Sequence, residues 1–297
     1  MLISCVIPTR DRAAMVVEAV ASVLAQQECA ARLEVVVVDD GSVDGTSRML
    51  AARFPDLEMI TDKSRHLAAV AHGGRKKVAP REPLLKLVKL PGLGPGTARN
   101  AGVAAATGEI IMFLDSDDLW TPDHVRCLLP PLSAGHQVVY GVTRNQDQVG
   151  GGEFFIPEAA QACDGTCFHE LLRWCFLVPS AVAVTRAAFN RVGGFSRLGL
   201  GEDWGFFLQL SQFYDFAFAG PAIITERRLH AGSLCCLPDR ETLSSTLITL
   251  RDLPWQPPFQ PAAAQRFAEL LDWLAARREP PATVQEWYLS LKQDQML

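Results

Sequence analysis

The sequence predicts an α/β protein built on a mostly parallel, Rossmann-like sheet flanked by helices, with a mixed-sheet second half and a helical appendage at the carboxyl end. Three observations carry this. Short β-branched runs alternate with helical patterns through the first half of the chain, several of those runs end in acidic or hydroxyl residues, and 297 residues with 48% hydrophobic content suffice for one large buried core. Such alternation implies parallel strands, because a parallel neighbour is reached through a crossover helix and not through a tight turn.

The elements follow in order. LISCVI gives a first strand, the stretch from Asp11 to about Gln27 an amphipathic helix, LEVVVV a second strand, and Asp44 to about Phe54 a second helix. Further strands are expected at 57–60, 84–90 and 109–114. The unbroken apolar run Val35 to Val38 suits a strand covered on both faces. After about Gly150 the alternation weakens, with a helix expected near Thr166 to Cys175, a strand near Val178 to Thr185 and a helix after Asp203. The proline-rich stretch Pro254 to Pro261 precedes a terminal helix from Ala262 to about Arg278, whose Phe267, Leu270, Leu271 and Leu274 recur at helical spacing. The chain divides into a first half (1–120), a second half of the same domain (121–240) and a helical extension (241–297).

Composition excludes several classes. A formal net charge of -5 argues against a protein that coats nucleic acid, which needs a cationic excess. The amino terminus lacks the features of a secretory signal, and no segment offers the roughly 18 unbroken apolar residues of a spanning helix, so a cytoplasmic protein is expected. The eight cysteines are scattered and read mostly as reduced, buried thiols, with zinc at Cys163, Cys167 and Cys175 as the weaker alternative. Between Asp62 and Lys89, Lys63, Arg65, Arg75, Lys76, Lys77, Arg81, Lys86 and Lys89 form a local basic segment. It reads either as a solvated insertion or as peripheral contact with an anionic acceptor or the inner membrane face.

In an open parallel sheet the ligand crevice lies beyond the carboxyl ends of the strands. There the sequence places Pro8, Thr9, Arg10 and Asp11, then Asp39 and Asp40, then Asp115, Ser116, Asp117 and Asp118. In VVVVDDGSVDGT a carboxylate at the strand end can accept hydrogen bonds from a base or ribose; a calcium loop starting at Asp40 fails because its twelfth position is Ala51 and no helix precedes it. In LPGLGPGTARNAG, Gly92, Gly94 and Gly96 with Arg99 and Asn100 open a small-residue helix that can cradle an anion or simply make a tight turn. In FLDSDDLW, Asp115 and Asp117 point the same way on extended backbone and can jointly reach a hard cation, the alternative being an acidic helix cap. In GEDWGFF, Glu202 and Asp203 start an aromatic helix, where a carboxylate suits a general base or an ordinary cap. His230, in RRLHAGS, follows another short strand.

In this order and spacing the segments VIPTRDR, VVVVDDGS, GTARNAG, LDSDD and GEDW resemble family 2 of the glycosyltransferases, over roughly residues 1–235. The resemblance implies the GT-A fold and an inverting transfer of a sugar from a nucleotide-diphosphate donor, a UDP-sugar, to an acceptor hydroxyl in polysaccharide or glycoconjugate synthesis. It implies that Pro8, Thr9 and Arg10 line the nucleotide pocket, that Asp40 contacts the base and that Arg99 lies near the base or phosphates. Asp115 would bind ribose or a water of the metal's outer sphere, Asp117 would ligate Mg or Mn, and Asp203 would be the catalytic base. His230 matches a position that approaches the metal in some members. The acceptor would be a saccharide, a lipid-linked sugar or another hydroxyl compound. The basic insertion and the GFF after Asp203 depart from the common pattern and leave acceptor identity open. The competing readings are a nucleotidyltransferase of related fold, which would carry a glycine-rich basic loop where Pro8 to Asp11 stand, and a non-catalytic nucleotide-sugar-binding protein.

Overall fold

Strand formation follows from the apolar runs. In the computed structural model, which describes residues 1–26, 31–60, 84–197, 201–230 and 239–276, β1 (Leu2–Thr9) and β2 (Arg32–Asp40) pair in parallel, Leu2 opposite Arg32 and Thr9 opposite Asp39. Val35 to Val38 are all fully buried, as a doubly covered strand requires. Side chains alternate between two cores. Ile3, Cys5, Ile7, Val35 and Val37 pack with Val16, Ala19, Val20 and Val23 of α1 (Ala13–Leu24) and with Leu50 of α2 (Thr46–Arg53). Val6, Val36 and Val38 pack with Ala98 and Val103 of α3 (Pro95–Ala105) on the opposite face.

Among the described residues, one ten-stranded sheet carries strands from both halves of the chain. Its parallel part runs β3 (Glu58–Ile60), β4 (Leu84–Leu90), β2, β1, β5 (Ile110–Phe113). Beyond β5 come β9 (Val182–Thr185), antiparallel to both its neighbours, then β7 (Val138–Asp147), β10 (Phe216–Leu229) and β6 (Leu119–Trp120). β8 (Glu153–Ile156) hairpins onto the end of β7. α4 (His124–Ser133) covers the α1 side, while α5 (Phe168–Arg173), α6 (Arg186–Val192) and α7 (Glu202–Ser211) cover the α3 side. A Cβ on Gly102 would come within 2.3 Å of Val6, so α3 lies against β1 at a distance only small residues permit.

Several expectations need correction. α1 begins at Ala13, not Asp11, and ends at Leu24. A further helix, α8 (Asp239–Asp252), precedes α9 (Gln260–Ala276), and Leu250, Leu253, Ala263 and Leu270 join the main core. The carboxyl-terminal helices are therefore part of the packed fold on the α5 and α7 side. Cys163 and Cys167 are paired as a disulfide, not held as reduced thiols or zinc ligands, while Cys5, Cys127 and Cys175 are free. Cys29, Cys235 and Cys236, and the basic residues from Lys63 to Arg81, lie outside the described residues. Among the described residues no helix is long and apolar enough to cross a membrane.

Lys86 does not belong to a basic surface at all. It is buried in β4, and its Nζ donates to Glu34 Oε1 at 2.5 Å. Glu34, fully buried in β2, also accepts from Ser4 Oγ at 2.5 Å and from Thr107 N at 2.6 Å. Burial pushes its carboxyl up, but Lys86, Ser4 and Thr107 outweigh that and hold it below the usual range. The network ties three strands to the turn after α3 at the end of the sheet remote from the strand carboxyl ends. Lys86→Met would leave a buried carboxylate uncompensated, at a cost of about 3–5 kcal/mol. Urea unfolding should show that loss, and the double change Glu34→Gln with Lys86→Met should recover part of it.

Candidate active site

The carboxyl ends of β1, β2 and β5 deliver their polar residues to one edge of the sheet. At the end of β2, Asp40 is buried and both its oxygens are engaged: Oδ1 accepts from Leu93 N at 2.7 Å and Oδ2 from Gly94 N at 2.8 Å. Asp40 thus fixes the glycine turn that opens α3. A Cβ on Gly92 would stand 3.4 Å from Arg10 Nη1, so the Arg10 side chain, 61% exposed, lies along this turn. Thr9 is buried on the same side of β1 as Ile7, and Pro8 is half-buried. Asp11 takes a positive φ of 51° and ties the loop after β1 to the loop after β2: its Oδ1 accepts from Val43 N at 2.7 Å and its N donates to Ser42 Oγ at 2.9 Å. A cleft of about 440 Å³ beside that loop is lined by Asp39, Ser42, Asp44, Ser47, Arg48 and Lys89, and by none of the residues expected to do chemistry.

After β5 the chain turns through Asp115 to Asp118. Ser180 orients this turn, accepting from Asp115 N at 3.0 Å and donating to Asp118 Oδ2 at 2.6 Å. Asp117 Oδ2 lies 3.2 Å from His230 Nε2, so the residues expected to hold a metal do converge, although they are far apart in sequence. Arg12 Nη1 stands 2.7 Å from the same oxygen, and Arg228 Nε donates to the Asp117 carbonyl at 2.6 Å. Burial, with the charges of Asp115 and Asp117, pushes the Asp118 carboxyl up to about 8. Asp117 and His230, one carboxylate and one imidazole meeting at a point, would hold a divalent ion such as Mg or Mn. No group of three or more His, Cys, Asp or Glu able to hold an ion occurs among the described residues.

Arg99 lies between two carboxylates of the protein. Its guanidinium is buried, with Nη2 donating to Asp115 Oδ1 at 2.6 Å and Nη1 to Glu202 Oε1 at 2.7 Å, and it lies over the Phe195 ring at 5.2 Å. Both terminal nitrogens therefore face carboxylates of the protein. Burial raises the Asp115 carboxyl, but the Arg99 charge and hydrogen bond outweigh it and hold it below its ordinary value. Asp203, in the first turn of α7 and half-buried, accepts from Trp204 N at 2.7 Å. The structure thus joins Asp115, Arg99 and Glu202 in one chain of contacts, with Asp203 near enough to act on Arg99 and Glu202 through its charge, and joins Asp117 and His230 in another.

Arg12, Ser180, Arg227 and Arg228 are site residues that sequence reasoning misses. Arg12 lies inside the VIPTRDR segment, and the Arg227–Arg228 pair two residues before His230 is the one local signal that could have found them. Arg227 acts on Asp115 and Asp118 through its charge.

The family described as Glycosyl transferase family 2 matches residues 4–191. The succinoglycan biosynthesis protein ExoO of Rhizobium meliloti is 36% identical over 137 residues, 46% of this chain and 31% of that protein. Staphylococcus aureus TarS 1-349 in complex with UDP-GlcNAc superposes with a TM-score of 0.61 at 18% identity, covering 91% of this chain and 72% of that one. The mannosyltransferase PcManGT from Pyrobaculum calidifontis, in complex with GDP-Man and Mn2+, superposes with a TM-score of 0.58 at 20% identity, covering 99% and 79%. The fold is accordingly the GT-A fold. The chain spans about half or less of the length of the curated relatives it matches.

Burial, together with the charge of Asp203, raises the Glu202 carboxyl from 4.5 to about 7 against the pull of Arg99. An acid whose pKa is raised by folding favours the folded state at low pH; that contribution is complete below about 4.5 and is lost as pH rises through about 7. In metal-free buffer, the melting temperature of the wild type should therefore fall more between pH 5 and 8 than that of Glu202→Gln, by roughly 3 °C. Parallel curves for the two proteins would contradict this.

Proposed function

The chain belongs to glycosyltransferase family 2, and on that premise we propose that it is an inverting, metal-dependent enzyme moving a sugar from a nucleotide-diphosphate donor to an acceptor hydroxyl. One observation carries the reading: Arg99 ties Asp115, after β5, to Glu202, at the start of α7, and Asp203, the next residue, acts on the same guanidinium through its charge.

Asp203 is the base. Its first-turn position keeps it oriented and partly out of water, and it takes the proton of the acceptor hydroxyl as that oxygen attacks the anomeric carbon. The carbon–oxygen bond to the diphosphate breaks on the opposite face, which inverts the anomeric centre. Pro8, Arg10 and the close approach of Gly41 to Gly92 form the floor for the nucleotide, with Asp40 holding the glycine turn in place and Thr9 supporting the strand end beneath it. Asp117 and His230 would hold Mg or Mn, which supplies positive charge to the departing diphosphate when bound. Arg12 and Arg227 add fixed positive charge to the same region. UDP is the favoured nucleotide, since a UDP-sugar is bound by one protein of this fold; GDP-Man in the other makes GDP the second choice. A saccharide acceptor in polysaccharide or glycoconjugate synthesis is favoured by the succinoglycan relative. The site of action is the cytoplasm, where nucleotide sugars are available.

A thermal-shift screen of nucleotide sugars with and without Mn2+ tests this, because a ligand that binds only the folded state raises its melting temperature. Asp203→Asn should keep the shift given by the donor while losing about 100- to 10,000-fold in transfer. Asp117→Ala should lose the metal-dependent part of the shift. Wild-type transfer by Asp203→Asn would overturn its assignment as base.

A further inference from the structure

The segment GPGTARNAG contains the residues best placed to set where Asp203 stands. Arg99 and Asn100, consecutive on α3, both reach across to the chain that leads into α7. Asn100 holds the backbone of Phe195 from both sides: its Nδ2 donates to Phe195 O at 2.8 Å and its Oδ1 accepts from Phe195 N at 2.9 Å. Only an amide can donate and accept in this way at that length. Arg99 stacks on the Phe195 ring and bonds Glu202, the residue before Asp203.

The backbones are close as well. A Cβ on Gly96 would stand 2.3 Å from Ser196 O, and a Cβ on Gly194 would stand 2.4 Å from Asn100 Oδ1. Glycine at both places lets the amino-terminal half of α3 seat directly against the 194–196 stretch. Phe195 in turn stacks on Phe206 of α7 at 4.2 Å, and Phe206 is buried against Phe113 of β5. One side of α7 is thereby fixed by the packing of Phe206 on Phe195, which Asn100 holds, and its first turn by Arg99 through Glu202.

We propose that Arg99 and Asn100 are positioning residues for the catalytic carboxylate: α3 grips Phe195 and Glu202 and so sets the position of Asp203 relative to Asp115. This rests on the reading of Asp203 as the base. Arg99 supplies two separated nitrogens in a rigid plane, one to Asp115 and one to Glu202, and a lysine ammonium cannot span both with that geometry. A cation acting on the diphosphate by charge alone would tolerate lysine.

The test uses the full chain and the variants Arg99→Lys and Asn100→Asp, the second being isosteric and lacking the donor to Phe195 O. Three readouts are taken: titration of UDP and of GDP in the presence of Mn2+, amide exchange at Trp204 and Gly205 in the first turn of α7, and turnover of whichever nucleotide sugar the thermal-shift screen selects. The expected result is nucleotide affinity within about twofold of wild type, at least tenfold faster exchange at α7, and a fall in kcat of about 100-fold with donor KM little changed. A loss of UDP and GDP affinity with α7 exchange unchanged would make Arg99 a nucleotide-binding residue and overturn the proposal, as would wild-type kcat in both variants. Should Arg99→Lys fail to fold, Asn100→Asp carries the same three readouts. If the screen selects no donor, nucleotide titration and exchange decide the matter without turnover. Wild-type transfer by Asp203→Asn would sink the assignment of the base while leaving the affinity and exchange results to be judged by themselves.

Discussion

Five carboxylates, those of Asp115, Asp117, Asp118, Glu202 and Asp203, meet at one edge of the sheet, and the arrangement of the rest follows from how their repulsion is met. Buried charges are tolerated only when paired or neutralised. Here Arg99 pairs with Asp115 and Glu202, Arg12 with Asp117, and Asp118 is pushed toward its neutral form with a hydrogen bond from Ser180. A cluster of this kind has little value to stability alone, since apolar residues of like volume pack at lower cost. Its presence where strand ends converge is what a site built for a charged ligand requires.

Topology explains why residues so distant in sequence gather. Parallel strands all end on the same edge, so β1, β2 and β5 contribute residues there without any of them being neighbours in the chain. The switch to antiparallel pairing at β9, followed by β7 and β10 running with β5, brings the end of β10 beside the turn after β5. That is how His230 reaches Asp117 and how Arg228 reaches its carbonyl. The buried Glu34 and Lys86 pair anchors the opposite edge and keeps α3, which carries Arg99 and Asn100, in register with β1 and β2.

The parallel half was legible because its strands are continuous apolar runs bounded by turn residues, a pattern that local physics determines. The glycine, acid and hydroxyl residues at strand ends were legible for the same reason. What the sequence hides is which side chain meets which. Arg99 reads equally well as a phosphate ligand or a structural cation until Glu202, 103 positions later, is seen against it. Lys86 reads as part of a basic stretch until the register of β4 with β2 sets it beside Glu34. α8 was legible in principle, since Leu243, Leu247 and Leu250 recur at helical spacing, but that stripe is short and set among serine and threonine, residues that favour helices only weakly.

The central proposal is that Asp117 and His230 would form the cation position of a nucleotide-diphosphate site, where the ion would compete with Arg12 for the Asp117 carboxylate. A crystal grown with UDP and Mn2+ and measured at the manganese edge addresses it directly. The account predicts an anomalous peak within coordination distance of Asp117 Oδ2 and His230 Nε2, touching the diphosphate, with Arg12 moved off the carboxylate. Ordered UDP with no anomalous peak at Asp117, and the Arg12 ion pair intact, would contradict it.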